Sequence, residues 1–167
     1  LLRKGPSDRK RVALTFDDGP DPDSTPAVLD LLDAHRLPAA FFCVGERVRR
    51  HPALAREILR RGHSVENHTF GHPETFGFWG YRRTLAELAR AQATIADATG
   101  HAPRFFRAPF GIRNPFLDPA AQRLGLRYVS WTRRGLDTID DDAGRVTRRL
   151  CDGLAGGDIL TLHDAVA

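Results

Sequence analysis

The chain has 167 residues, 41% of them hydrophobic and 28% charged, the balance of a globular domain with a sizeable core. Its formal charge is +4 at pH 7 and its pI about 9.7, nearly all from arginine, since only Lys4 and Lys10 are lysine. The arginines are scattered, densest in "RVRR" (47–50), which argues against the clustered basic patch of a nucleic-acid-binding protein; no apolar run approaches the roughly 18 residues of a membrane span.

The chain begins at Leu1 and contains no Met, so it reads as a piece of a longer product, in which a missing signal peptide carries no weight. We expect one domain over residues 1–167. The first strand is expected over 11–16 and runs into "TFDDGP". Asp17 and Asp18 thus stand side by side at the end of an apolar run, where unaided burial of either charge is costly. Gly19 and Pro20 supply turn chemistry behind them. A helix follows in "DSTPAVLDLLDAH", with Thr25 as N-cap and Pro26 in the first turn.

A second strand, 39–44, carries "AAFFCVG" and buries Cys43 as a thiol. Cys151 falls in a helical stretch. The two cysteines lack zinc-site spacing, and nothing in the sequence supports a disulfide between them. "HPALAREILRRG" reads as a helix between Pro52 and Gly62. A strand over 63–67 ends in "NHTFGH". From residue 81, Tyr81, Leu85, Leu88, Gln92 and Ile95 make one helical face that Gly100 ends. A strand over 104–107 ends in "RAPFG". "LDPAAQRLG" is a helix with Asp118 as cap and Gly125 as stop. A strand over 127–131 leads into "WTRRGLD". Val146 and Leu150 mark a helix over 142–152, and the strand over 158–162 ends in "LHD".

Strands alternating with helices predict an α/β fold with a mainly parallel sheet or barrel. In such folds the working residues gather at the C-terminal strand ends. Every polar cluster in this chain sits at such an end, which implies one shared site. His68 and His72 are four apart, and with one Asp of the pair they make a three-ligand metal set that leaves a position open. Asp17 and Asp18 can face different partners because side chains alternate along a strand. One then binds the metal, whose charge offsets their repulsion, while the other acts as general base. Arg107, at another strand end, can pair with a carboxylate and keep it charged. His163 can donate a proton if a carboxylate supports it, with Asp137 and Asp164 as the candidates.

These motifs, in the order "TFDDGP", "HTFGH", "RAPFG", "WTRRGLDT" and "LHD", resemble the polysaccharide deacetylases of carbohydrate esterase family 4, the NodB-homology domain. The resemblance covers about residues 10 to 164. It implies a distorted (β/α) barrel of about seven strands, and a divalent metal, usually Zn²⁺ or another transition ion such as Co²⁺. It implies hydrolysis of N-acetyl or O-acetyl groups on an acetylated glycan, outside the cytoplasm or at the cell envelope. Carried over by position, Asp17 resembles the catalytic base. Asp18, His68 and His72 resemble the metal ligands, and Arg107 the residue that holds the base. Phe110 stands where the family usually has Tyr and keeps the N–H that helps bind an oxyanion. Asp137 resembles the partner of the catalytic acid His163.

The aromatic stretch "TFGFWGYRR" (75–83) either lines the rim for sugar stacking or anchors the next helix; Trp79 is its best candidate for substrate contact. Pro109 and Phe110 are expected beside the substrate as well. Two positions depart from the family pattern. Thr138 replaces a usual Trp and Thr161 a usual Leu, both in the wall of the acetate pocket. Members also usually continue past "LHD" through a further helix and strand, which this chain is expected to lack. The competing readings are a deformylase or deacylase of a lipid-linked aminosugar, and a catalytically silent sugar-binding module. The second is disfavoured because Asp17, Asp18, His68, His72 and His163 are all present.

Overall fold

A computed structural model describes residues 1–8 and 10–165. Seven strands form one parallel sheet: β1 (Ala13–Asp17), β2 (Ala40–Cys43), β3 (Ser64–Asn67), β4 (Phe105–Phe106), β5 (Arg127–Tyr128), β6 (Arg133–Arg134) and β7 (Ile159–His163). Their spatial order is β5-β4-β3-β2-β1-β7-β6, with β1 between β2 and β7. Six α-helices fill the crossovers: α1 (Thr25–His35), α2 (Gly45–Arg50), α3 (Pro52–Arg60), α4 (Tyr81–Thr99), α5 (Leu117–Arg123) and α6 (Ala143–Cys151). The sheet curls strongly. One run, residues 127–134, pairs with β4 at its start and with β7 at its end, so a single segment borders both edges. Leu2 bridges to Val129 beside that seam, and Gly5 donates to the Gly157 carbonyl. Seven strands therefore assemble within this chain without the further strand that the family pattern led us to expect.

Alternation along the strands divides the molecule. Phe16, Phe41, Cys43 and Val65 form the outer core with Leu29 and Leu32 of α1, Ile58 of α3 and Ile95 of α4. On the other face of the sheet, register pairs Thr15 with Thr161 and Ala40, and Asp17 with His163 and Phe42. The inward face is therefore polar at the centre of the sheet. Buried Glu66, opposite Phe42, accepts from the Arg104 and Phe105 amides and so fixes the approach to β4. Burial holds Glu66 above the usual carboxylate range, against the pull of those two amides.

Several local expectations shift. Thr25 is not the N-cap of α1; it is the first helical residue, and Ser24 occupies the cap position without a side-chain capping bond. The Thr25 hydroxyl instead donates to Asp164 Oδ2 (2.6 Å) and accepts from the Asp21 amide (2.8 Å), tying α1 to the end of β7. Asp118 lies in the first turn of α5, behind a cap position held by Phe116, and pairs with Arg113 at 2.6 Å. Helix α2 was not anticipated, because "RVRR" looked like surface charge; it buries Val48 completely. The strand expected over 127–131 is only the two-residue β5, and β6, four residues further on, lies beyond its expected end. Cys43 is buried and Cys151 exposed, and both are free.

Thr25→Val should test the α1–β7 tie. It leaves the buried Asp164 carboxylate without its hydroxyl donor, and unfolding in urea should show a loss of about 2 kcal/mol. An unchanged midpoint would mean that the hydroxyl carries no net stabilisation.

Candidate active site

The ends of β1, β3, β4, β6 and β7 converge on one cavity of about 290 Å³. Its floor is Asp17, Asp18, His68 and His72. Its walls include Phe110, Trp131, Thr138, Thr161 and His163, with Arg134 of β6 and Ile139 of the loop after it. The loops at these strand ends are held in uncommon backbone conformations. Of six described non-glycine residues with positive φ, five are here: Asp18 (78°), Thr69 (65°), His72 (50°), Phe110 (57°) and Leu136 (61°). Such conformations cost on the order of 1–3 kcal/mol each and persist only where the surroundings hold them.

Side chains supply that hold. After β3, Asn67 Oδ1 accepts from the Thr69 amide, and Asn67 Nδ2 donates to the Leu88 carbonyl of α4. Glu87 Oε1 takes the Phe70 and Gly71 amides, and Thr69 Oγ1 takes the His72 amide. The loop is thereby fixed so that both imidazoles face the same way, with ring centroids 5.1 Å apart. After β1, the Gly19 amide donates to Asp164 Oδ1 at 3.1 Å. A Cβ on Gly19 would sit 2.2 Å from Asp164 Oδ2, so this close approach requires glycine. Burial, the largest influence on Asp164, pushes its carboxyl up to about 6.

Asp18, His68 and His72 offer three ligand atoms within 4.8 Å of one another. Asp18 Oδ1 lies 3.3 Å from His68 Nε2 and 3.2 Å from His72 Nε2. His68 Nδ1 is 2.9 Å from the Arg107 carbonyl, which fixes the protonated nitrogen there and leaves Nε2 with its lone pair toward Asp18. Burial, with the neighbouring His68, pushes His72 down to about 4, so its imidazole is neutral at ordinary pH. One carboxylate and two imidazoles in this arrangement fit a divalent transition metal with open positions.

Asp17 lines the same cavity but lies outside that set. Its Oδ1 accepts from Arg107 Nη1 at 2.6 Å, and the guanidinium is fully buried. Arg107 Nη1 also donates to Thr15 Oγ1 at 2.8 Å, and the guanidinium packs 4.1 Å over the Phe42 ring. Opposite Asp17 in register, His163 is gripped by Asp137. Asp137 Oδ1 lies 2.9 Å from His163 Nδ1, and Oδ2 accepts the His163 amide at 2.7 Å. Burial alone would disfavour the imidazolium. The hydrogen bond and charge of Asp137, with Asp17 and Asp18 nearby, outweigh it and raise the His163 pKa. Between the two candidate supports the structure selects Asp137; Asp164 is engaged by Gly19 and Thr25.

The expected substrate contacts divide. Phe110 lines the cavity, half-exposed, with its ring 4.9 Å from His72, and no acceptor among the described residues takes its N–H. Pro109 is buried and does not line the cavity. Trp79 is not at the rim: it is buried in a second core with Phe76, Leu88 and Leu117, its indole N–H donates to Thr75, and Arg83 covers its face at 3.7 Å. The aromatic stretch anchors α4, with only Phe78 wholly exposed. Sequence reasoning missed Trp131, Arg134 and Ile139, which line the cavity. Period-two alternation puts Trp131 and Arg134 on opposite faces, so no local sequence signal brought them to one cavity.

A curled parallel sheet with an Asp–His–His set and an Asp-backed His at its strand ends defines a carbohydrate-esterase barrel of the NodB type. Residues 4–129 match the model of the polysaccharide deacetylase family. The chain is 35% identical over 155 residues to the peptidoglycan-N-acetylglucosamine deacetylase PgdA of Listeria monocytogenes, a match that covers 93% of this chain and 32% of that protein. It is 36% identical over 159 residues to the chitooligosaccharide deacetylase of a Bradyrhizobium species, covering 95% of this chain and 72% of the other. A family 4 carbohydrate esterase from Streptomyces lividans, solved in complex with acetate, superposes with a TM-score of 0.88 at 32% identity, over 95% of this chain and 81% of that one. The chain belongs to the polysaccharide deacetylase family, carbohydrate esterase family 4. It spans about a third of the length of the Listeria relative.

His72→Ala removes one of three ligands from a site with few alternatives. Metal competition against a coloured chelator should show affinity reduced by about a hundredfold or more, with the far-ultraviolet spectrum unchanged. Undiminished affinity would place the metal elsewhere.

Proposed function

We propose that this chain is a zinc-dependent hydrolase that removes N-acetyl groups from aminosugar units of a cell-envelope glycan, at an extracytoplasmic site. The observation that carries this reading is the juxtaposition, around one cavity, of Asp17 on Arg107, Asp18 with His68 and His72, and His163 on Asp137. The glucosamine-directed activities of the Listeria and Bradyrhizobium relatives support the substrate class. No helix among the described residues is long and apolar enough to cross a membrane.

Bound by Asp18, His68 and His72, the metal supplies Lewis-acid polarisation of the acetyl carbonyl and makes water a better nucleophile. Asp17 takes a proton from the attacking water. Arg107 holds the Asp17 carboxylate by one oxygen, so the other is left for this task. As the carbonyl carbon becomes tetrahedral, the Phe110 N–H donates to its oxyanion. His163 Nε2 faces the opposite side, since Nδ1 is engaged by Asp137. It donates a proton to the sugar nitrogen as the C–N bond breaks. Acetate and the free amine are the products. A raised His163 pKa keeps the donor protonated at higher pH than an ordinary imidazole.

Asp17→Asn should abolish acetate release from N-acetyl chito-oligomers, by about 10²-fold or more, while metal binding persists. Retained turnover would remove Asp17 from the role of base.

Asp137→Asn withdraws the charge that raises the His163 pKa. The acid form is lost as pH rises through that pKa. The basic limb of kcat/KM should therefore move to lower pH in the variant, with a maximal rate reduced by about 10²–10⁴. An unmoved limb would assign it to another group.

A further inference from the structure

Resting on the deacylase reading above, we infer that Arg134 is a specificity-determining residue that receives a carboxylate carried by the substrate next to the scissile amide. Arg134 pairs in register with Thr161, so it shares the inward face with Thr15 and Thr161, one tier from Asp17 and His163. Its neighbour Arg133 points outward and is paired with Asp158 at 2.9 Å. Arg134 lines the reaction cavity and is half-buried.

Every acid around the cavity already has a cationic or metal-binding engagement. Asp17 is held by Arg107 and Asp137 by His163, and Asp18 belongs to the metal set. No carboxylate among the described residues pairs with Arg134; its guanidinium carbon lies 5.5 Å from the Trp131 ring centroid. Stacking on an aromatic face leaves the donor edge of a guanidinium free, and that edge matches a carboxylate with two parallel N–H···O bonds. Thr138 lines the same cavity and adds a hydroxyl where the family pattern has Trp, whereas the Thr161 hydroxyl is engaged by Thr15 Oγ1 at 3.2 Å. Arg134 is thus a half-buried cation on the reaction cavity with no carboxylate partner among the described residues, placed to receive an anion.

The carboxylate has two sources, an acidic sugar beside the aminosugar or a dicarboxylic acyl group on its nitrogen. Two matched pairs separate them. One pair is an oligomer alternating N-acetylglucosamine with glucuronic acid, against the same oligomer with glucose. The other is an N-succinyl against an N-butanoyl chito-oligomer. In the zinc-loaded protein, kcat/KM should be about tenfold or more higher for the acidic member of one pair. That ratio should fall toward one in Arg134→Gln and be partly kept in Arg134→Lys. A ratio near one in the unaltered protein for both pairs, or a ratio unchanged by Arg134→Gln, overturns the inference. Calorimetric binding of the same four oligomers tests Arg134 independently of turnover. An acidic-member preference lost in Arg134→Gln supports it even if no amine is released, an outcome that would overturn only the deacylase reading. Equal binding of both members overturns it.

Discussion

The buried Arg107 guanidinium is the interaction on which the site depends. It is fully buried on the loop after β4, yet it reaches β1, where one nitrogen serves both Asp17 and Thr15. Its own carbonyl fixes the His68 ring. One residue thus holds the proposed base and, through its backbone, aims a candidate metal ligand. A carboxylate left in this place without its partner would be an uncompensated buried charge, typically about 3–5 kcal/mol of destabilisation, a large share of the roughly 5–15 kcal/mol by which a domain is stable. The adjacent acids at the end of β1 are therefore tolerated because each meets a different cationic environment, one an arginine and the other a metal set.

The larger apolar core lies on the outward face of the strands, while the inward face carries the chemistry beside a small apolar cluster of Phe42, Val129 and Ile159. The outward positions of β1, β2 and β3 close an apolar core against α1, α3 and α4. The inward positions carry Thr15, Asp17, Thr161 and His163, which contribute little apolar burial. The strained residues of the strand-end loops lie on the inward side of this division. They are affordable because Asn67, Glu87 and Asp164 satisfy the loop amides that such conformations expose.

Much of this was legible in the sequence, for a local reason. An apolar run that stops at Asp17-Asp18, or at His163, announces both a strand and its functional end within ten residues. Alternation of strand and helix then places those ends together. The elements that sequence reasoning misjudged depend on distant partners. Thr25 looked like a cap because its competing acceptor, Asp164, is 139 residues away. Trp79 looked like a rim aromatic because burial in a cluster with Phe106 and Leu117 leaves no mark in its own neighbourhood. Helix α2 was hidden because a six-residue element shows too little periodicity to separate buried Val48 from the arginines around it.

The same distinction separates reaction from specificity. Proton transfer and metal binding need particular side chains at particular strand ends, so they impose motifs. The wall of the acyl pocket needs only some residue at each inward position, and its identity is free to drift. Thr161, Thr138 and Arg134 lie in this second class. Their placement follows from the register between two-residue β6 and β7, which Arg133 anchors by its outward pairing with Asp158. That outward ion pair fixes the parity of the strand, and parity puts the next guanidinium inside. On the proposed reading, substrate selection is therefore set by a register that the catalytic motif itself does not encode.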